Sequence, residues 1–405
     1  MQHITVEGPL TGRPPIGLAG YDLGALGYEV QEWLLRGTAR SFSSPGALRP
    51  DGRWDARPAG TADFVTRLVV VRPADPGRFD GTVLVEWLNV TYGQDIPAEW
   101  LYTHRHLMRS DAVWVGVSVQ HAGIRGGGFL RGDHLQKVDP ERYAVLSHPG
   151  DAYSYDIFSQ AAAAVRRPDG PLRGLRPRTV LGTGTSQSAM YLTTYVNAID
   201  PIAQVVDGFL IHGRGVRGAW VEGTLLDPRR LMTDLIRHWQ PALPGHRIRP
   251  DARVPVLTLQ GETDVVLLGS GLARQRDGDG FRLWELAGAA HFDSYGMRAG
   301  FFDDGSLPTD ALRHKLRPLN NPAGFHTSGP SNSGPQLHYV LQAAVEGLRR
   351  WVVDGVAPAS ADVLATRRFQ PLRLARDRAG IAIGGVRTPW VSAPVATLSG
   401  LGQRT

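Results

Sequence analysis

The segment Thr179–Met190, read as Thr-Val-Leu-Gly-Thr-Gly-Thr-Ser-Gln-Ser-Ala-Met, has the residue types and spacing of a serine nucleophile held at a turn. A short β-branched run leads into Gly184-Thr185-Ser186-Gln187-Ser188, and the helix formers Ala189-Met190-Tyr191-Leu192 follow at once. Such a strand-to-helix bend lifts its apical serine out of the backbone, but only if the residues two places before and after it are small. Gly184 and Ser188 meet that demand around Ser186. A register centred on Ser188 would put Met190 in the trailing small position, so Ser186 is the expected nucleophile. A serine hydroxyl attacks an acyl carbonyl only when a base takes its proton and a third group orients that base.

Candidates for both partners lie later in the chain. After the strand-like run Phe281–Leu286 comes the small-residue loop Ala287-Gly288-Ala289-Ala290-His291-Phe292-Asp293, which suits a base swinging over the serine. His212, at the end of another strand-like run, is the second choice, and His104 and His106 have no acidic partner at metal-ligand spacing. The run Val254–Gln260 leads into Gly261-Glu262-Thr263-Asp264, where Asp264 is the expected acid and Glu262 the alternative. The carboxylate not used is expected to cap the next segment or pair with an arginine. The resulting order, Ser186, Asp264, His291, is that of α/β-hydrolases rather than of other serine-protease folds. Two backbone N–H groups must face the developing oxyanion. Gln187, directly after the serine, and Val90, in the loop after Thr82–Trp87, are the expected donors. Asn89 is expected to brace that loop, and Glu86, inside an apolar run, to be paired or hydrogen-bonded. The chemistry implied is attack of Ser186 on an ester carbonyl and release of the acyl group to water. It calls for no metal and no organic cofactor.

These residues need a scaffold of alternating strands and helices. Short apolar runs recur at Tyr28–Leu35, Phe64–Val71, Thr82–Trp87, Ala112–Val119, Thr179–Gly182, Val206–Ile211, Val254–Gln260 and Phe281–Leu286. Helical patterns fall at Tyr155–Arg166 and Ser188–Ile199, and an apolar stripe at helical spacing runs Leu337, Val340, Leu341, Ala344, Leu348, Trp351. The fold class is therefore α/β: a mostly parallel twisted sheet with helices on both faces and an antiparallel N-terminal edge. Residues 1–26 read as an irregular arm and Ser43–Gly60 as a turn-rich loop. Two stretches break the alternation. Residues 213–253, with a helical segment at Pro228–Trp239, read as a cap insert, and residues 296–336 as a long pocket loop. Within the first, Arg214, Arg217, Arg229, Arg230, Arg237, Arg247 and Arg249 outnumber Glu222, Asp227 and Asp234. One of these arginines facing the pocket would favour an anionic acyl group, although a solvated helix face is the plainer reading.

Composition narrows the class. The chain has 405 residues, 42% hydrophobic and 20% charged, as expected of a globular protein with a sizeable core. Its formal charge is +6, from 44 basic and 38 acidic residues, but the arginines are dispersed rather than clustered, which argues against nucleic-acid binding. With no cysteine, disulfide and thiol chemistry are excluded. Neither a secretory leader nor a run long enough to span a bilayer is visible, so a cytoplasmic location is expected.

Several longer phrases resemble a bacterial family of this length known as the alpha/beta hydrolase domain family. They are Gly81–Val90, Val115–Ser118, His148–Asp156, Asp207–His212 and Gly384–Val391. The resemblance covers nearly the whole chain. It implies the α/β-hydrolase fold, a Ser–acid–His triad and one domain over residues 1–405 that includes both inserts. It carries little about substrate. Ser188 departs from the commoner G-x-S-x-G, and Asn320–Gly334 looks longer than the family's usual segment. The leading expectation is a serine esterase acting on a small-molecule acyl substrate, with homo-oligomerisation left open. An acyltransferase or lactonase would share every residue named, a lyase or cyclase could reuse the scaffold, and a silent binding protein is disfavoured by the intact constellation.

Overall fold

The computed structural model describes residues 4–127, 132–223, 245–315, 317, 336–369 and 372–401. Nine strands form one sheet: β1 (Thr5–Glu7), β2 (Tyr28–Ser43), β3 (Arg57–Pro73), β4 (Thr82–Trp87), β5 (Val113–Val117), β6 (Thr179–Thr185), β7 (Gly208–His212), β8 (Val256–Gly261) and β9 (Phe281–Leu286), in the order β1-β2-β3-β5-β4-β6-β7-β8-β9. From β5 to β9 all neighbours are parallel, whereas β1, β2, β3 and β5 pair antiparallel. The expected antiparallel edge is present and longer than the apolar pattern suggested. β2 runs on to Ser43 and β3 begins at Arg57, so the turn-rich loop is shorter than residues 43–60, and Thr5–Glu7 of the N-terminal arm adds a further strand. The extension has a partner: Arg40 pairs with Asp156 at 2.9 Å, and the Gln160 amide donates to Thr38 O at 2.8 Å.

Side-chain alternation sets the two layers. Val83, Val85 and Trp87 of β4 face one cluster, against α2 (Ser154–Ala164) and α3 (Gln187–Thr194). Leu84 and Leu88 face the other, shared with α1 (Ala98–Arg109) and α5 (Leu337–Asp354). Both faces of the parallel strands are thus buried, which is why they read as continuous apolar runs. The stripe from Leu337 to Trp351 is buried, and α5 ends where Gly355 takes a left-handed φ of 69°. The helix expected over residues 188–199 keeps regular α geometry only to Thr194, then passes into a wider turn at Tyr195–Ile199. A separate two-stranded ribbon, β10 (Thr366–Phe369) with β11 (Leu372–Leu374), follows α5. The helical segment Pro228–Trp239 lies outside the described residues, as does the stretch 318–335.

Because β4 and β6–β9 run parallel, their carboxyl ends open on one edge of the sheet. Each candidate site residue sits just beyond one of these ends. Trp87, wholly buried on β4, stacks on Tyr191 of α3 at 5.1 Å and so ties β4 to the helix after Ser186. Trp87→Ala is expected to lower unfolding free energy by about 3–5 kcal/mol in chemical denaturation.

Candidate active site

The bend at Ser186 has the geometry the sequence implies. Ser186 has φ 62° and ψ −117°, a conformation that costs a non-glycine residue roughly 1–3 kcal/mol. A Cβ on Gly184 would lie 3.0 Å from Ser188 Cβ and 3.1 Å from Leu192 Cδ1, so the position accepts only glycine without rearrangement. Ser188 is buried and its Oγ points to Leu88 O at 3.4 Å, whereas Ser186 faces the imidazole of His291.

His291 Nε2 lies 2.8 Å from Ser186 Oγ, and His291 Nδ1 lies 2.5 Å from Asp264 Oδ1. Facing a carboxylate, Nδ1 carries the ring proton, and Nε2 is left as acceptor for the serine hydroxyl. The Asp264 side chain is 1% exposed and that of His291 25%, so the carboxylate is sealed while the imidazole reaches solvent. Asp264 sits in α4 (Glu262–Val266), directly after β8, and its second oxygen accepts from Gly261 N at 2.5 Å. Glu262, the alternative acid, turns away. It accepts from Arg376 Nη2 at 2.6 Å and from Gly288 N at 2.7 Å, stitching the C-terminal segment to the loop that carries His291. The sequence favoured Asp264 and kept Glu262 as the alternative; Asp264 is the carboxylate beside the imidazole, while Glu262 pairs with the partly buried Arg376.

The predicted donors sit side by side. Gln187 opens α3, and Val90 N–H points to Gln187 Oε1 at 3.5 Å, the outer limit of a hydrogen bond. An acyl oxygen could displace so long a contact at little cost. Asn89 braces the loop as expected: its amide donates to Thr185 O at 2.9 Å and its oxygen accepts from Thr91 N at 2.9 Å. Farther along this loop Asp95 binds the buried Arg67 of β3 at 2.6 Å, an anchor the sequence did not reveal. Glu86 accepts from Glu99 N at 2.9 Å, Trp100 N at 3.0 Å and Trp114 Nε1 at 2.8 Å. Burial, with Glu99 nearby, still pushes its carboxyl up to about 8.

The other candidate histidines have different partners. His104 Nδ1 is 2.9 Å from Trp100 O and its Nε2 is 3.4 Å from Asp303, while His106 lies 3.8 Å from Glu346. Among the described residues no group of three or more acidic or histidine side chains could hold a metal. His212 does not reach the serine hydroxyl; its Nδ1 pairs with Glu99 at 2.9 Å behind the bend. Glu99 went unnoticed in the sequence, though a glutamate inside the apolar stretch Ala98–Tyr102 is a usable signal. Of the insert arginines, Arg214 is buried and donates to His246 O at 2.7 Å, with burial lowering its pKa to about 10. Arg249 pairs with Asp251 at 3.0 Å, Arg217 is partly buried, and Arg229, Arg230 and Arg237 lie outside the described residues.

The sequence matches the model of a family described as Alpha/beta hydrolase domain over residues 5–405. The chain belongs to that family. Its sheet and helices are those of the α/β-hydrolase fold. Among curated proteins none matches the sequence. Similar solved structures include a thermostable esterase from Pseudomonas putida, 14% identical over 73% of this chain and 83% of that one, with a TM-score of 0.33. Another comes from a study of two fungal esterases of Rhizomucor miehei, 12% identical over 85% and 94% of the two chains, with a TM-score of 0.37. At such identities and scores neither likeness bears on this chain's activity.

Asp293, two residues beyond His291, is buried, and burial pushes its carboxyl from 3.8 up to about 7. The folded protein therefore holds a proton that the unfolded chain has released. The stability this group contributes is complete below its unfolded pKa and is lost as pH rises through about 7. Asp293→Asn keeps Oδ1 as acceptor for Tyr102 and Gly296 and removes the titration. Its unfolding free energy relative to wild type is expected to improve by about 2–3 kcal/mol between about pH 5 and about pH 8 in urea titrations.

Proposed function

We propose that this chain is a serine hydrolase that cleaves carboxylic esters through an acyl-enzyme on Ser186. The observation that carries the reading is the unbroken hydrogen-bonded line from Ser186 Oγ through His291 to Asp264, at 2.8 and 2.5 Å, with the serine at positive φ. His291 Nε2 accepts the hydroxyl proton as Oγ attacks the acyl carbonyl, and Asp264 holds the ring and stabilises the imidazolium. The carbonyl oxygen, now negative, displaces the Gln187 side chain from Val90 N–H and takes hydrogen bonds from Val90 and Gln187 N–H. The imidazolium returns its proton to the leaving alcohol as the C–O bond breaks. Water, deprotonated by His291, then releases the acid and restores Ser186.

We read residues 1–405 as one catalytic domain, a view supported by the family match over 5–405 and the continuous sheet. In that reading the stretches 213–253 and 296–336, in their described parts, contribute to a cap and pocket wall. Their residues 224–244 and 318–335 lie outside the described ones. Among the described residues no helix is long and apolar enough to cross a membrane, and a small acyl substrate is the proposed ligand.

A series of p-nitrophenyl esters of increasing acyl length tests the reading. Ser186→Ala is expected to abolish turnover and fluorophosphonate labelling. Asp264→Asn should lower kcat by about 10⁴. Glu262→Gln, by contrast, should lower the melting temperature yet leave the folded protein labelled, because its carboxylate is committed to Arg376. Retained hydrolysis in Ser186→Ala would refute the proposal.

A further inference from the structure

Behind Ser186 lies a second acid–imidazole pair that the reaction outlined above does not use. Glu99 of α1 and His212 at the end of β7 are both fully buried, with Glu99 Oε1 2.9 Å from His212 Nδ1. The Thr185 hydroxyl donates to the same Glu99 oxygen and lies 3.3 Å from His212 Nδ1. Two hydrogen bonds and one close approach connect this cluster to the site. His212 O accepts the Ser186 N–H at 3.0 Å, and Thr185 O accepts the Asn89 amide of the oxyanion loop at 2.9 Å. The next residue, Gly213, has φ 61°, and a Cβ there would stand 3.1 Å from His291 Nδ1. The cluster therefore borders the nucleophile, the oxyanion loop and the base.

We infer that Glu99 and His212, linked through the Thr185 hydroxyl, are positioning residues for the Ser186 bend. The inference rests on the serine-hydrolase reading. Desolvating an acid and an imidazole costs as much as, or more than, their attraction returns, so apolar residues would serve stability equally well. What apolar residues cannot supply is direction. Hydrogen bonds fix Thr185 and the His212 carbonyl on either side of a serine whose backbone sits off its preferred minimum. A shift of about 1 Å in the reacting oxygen is enough to cost on the order of a hundredfold in rate.

The test uses the full chain and measures three quantities: melting temperature, fluorophosphonate labelling rate at Ser186, and kcat and KM on a p-nitrophenyl ester. Thr185→Val is nearly isosteric and removes only the hydroxyl; Thr185→Ser keeps it. Glu99→Gln removes the charge and keeps an acceptor. Thr185→Val and Glu99→Gln are expected to lower labelling rate and kcat by about ten- to a hundredfold with KM within about twofold, and Thr185→Ser to restore both. A fall in melting temperature with wild-type labelling rate per folded molecule would overturn the inference and leave the serine reading intact. Should Glu99→Gln fail to fold, the Thr185 pair decides. Absence of labelling in the wild type would instead remove the reading on which the inference stands.

Discussion

The backbone dihedral at Ser186 is the constraint on which the rest of this site depends. A φ of 62° on a residue with a side chain is unfavourable, and it persists only where the surroundings leave no alternative. Here they leave none. The N–H of Ser186 is bound to His212 O, Thr185 is held by Asn89 and Glu99, and the absence of a Cβ at Gly184 lets α3 start directly against β6. The outcome is a hydroxyl that stands clear of the main chain and meets an imidazole delivered from a different strand.

The parallel half of the sheet turns that local bend into an assembled site. Strands that share a direction end on the same edge, so loops distant in sequence become neighbours. β4 delivers Val90, β6 delivers Ser186, β7 delivers Gly213, and β8 and β9 deliver Asp264 and His291. Several ionisable side chains are buried beneath this edge. Glu86 receives three N–H donors, Glu99 meets His212, and Glu262 meets Arg376. These contacts join β4 to α1 and β5, α1 to the end of β7, and α4 to the C-terminal segment. The polar groups give direction to elements that apolar packing alone would only hold close.

Much of this was legible in the chain. Small residues flanking a serine, a β-branched run before it and helix formers after it are local requirements of a tight bend, and local requirements leave local traces. The apolar runs of β4, β5, β6, β8 and β9 were readable for the same reason. The apolar runs understated β2 and β3, because an edge ribbon half open to solvent needs no continuous apolar pattern.

What the sequence determined alone was the elbow, the succession of elements and a shortlist of partners. Each follows from backbone sterics or from side-chain periodicity over a few residues. Tertiary structure set the two carboxylates after β8 apart, placing Asp264 against His291 and Glu262 against Arg376, more than a hundred residues away. It likewise turned His212 from a candidate base into the partner of Glu99, and Arg214 from a candidate pocket cation into a donor to backbone carbonyls. Those outcomes depend on which oppositely charged or hydrogen-bonding group arrives from a distant strand or helix, and no pattern within a short window of sequence contains that information.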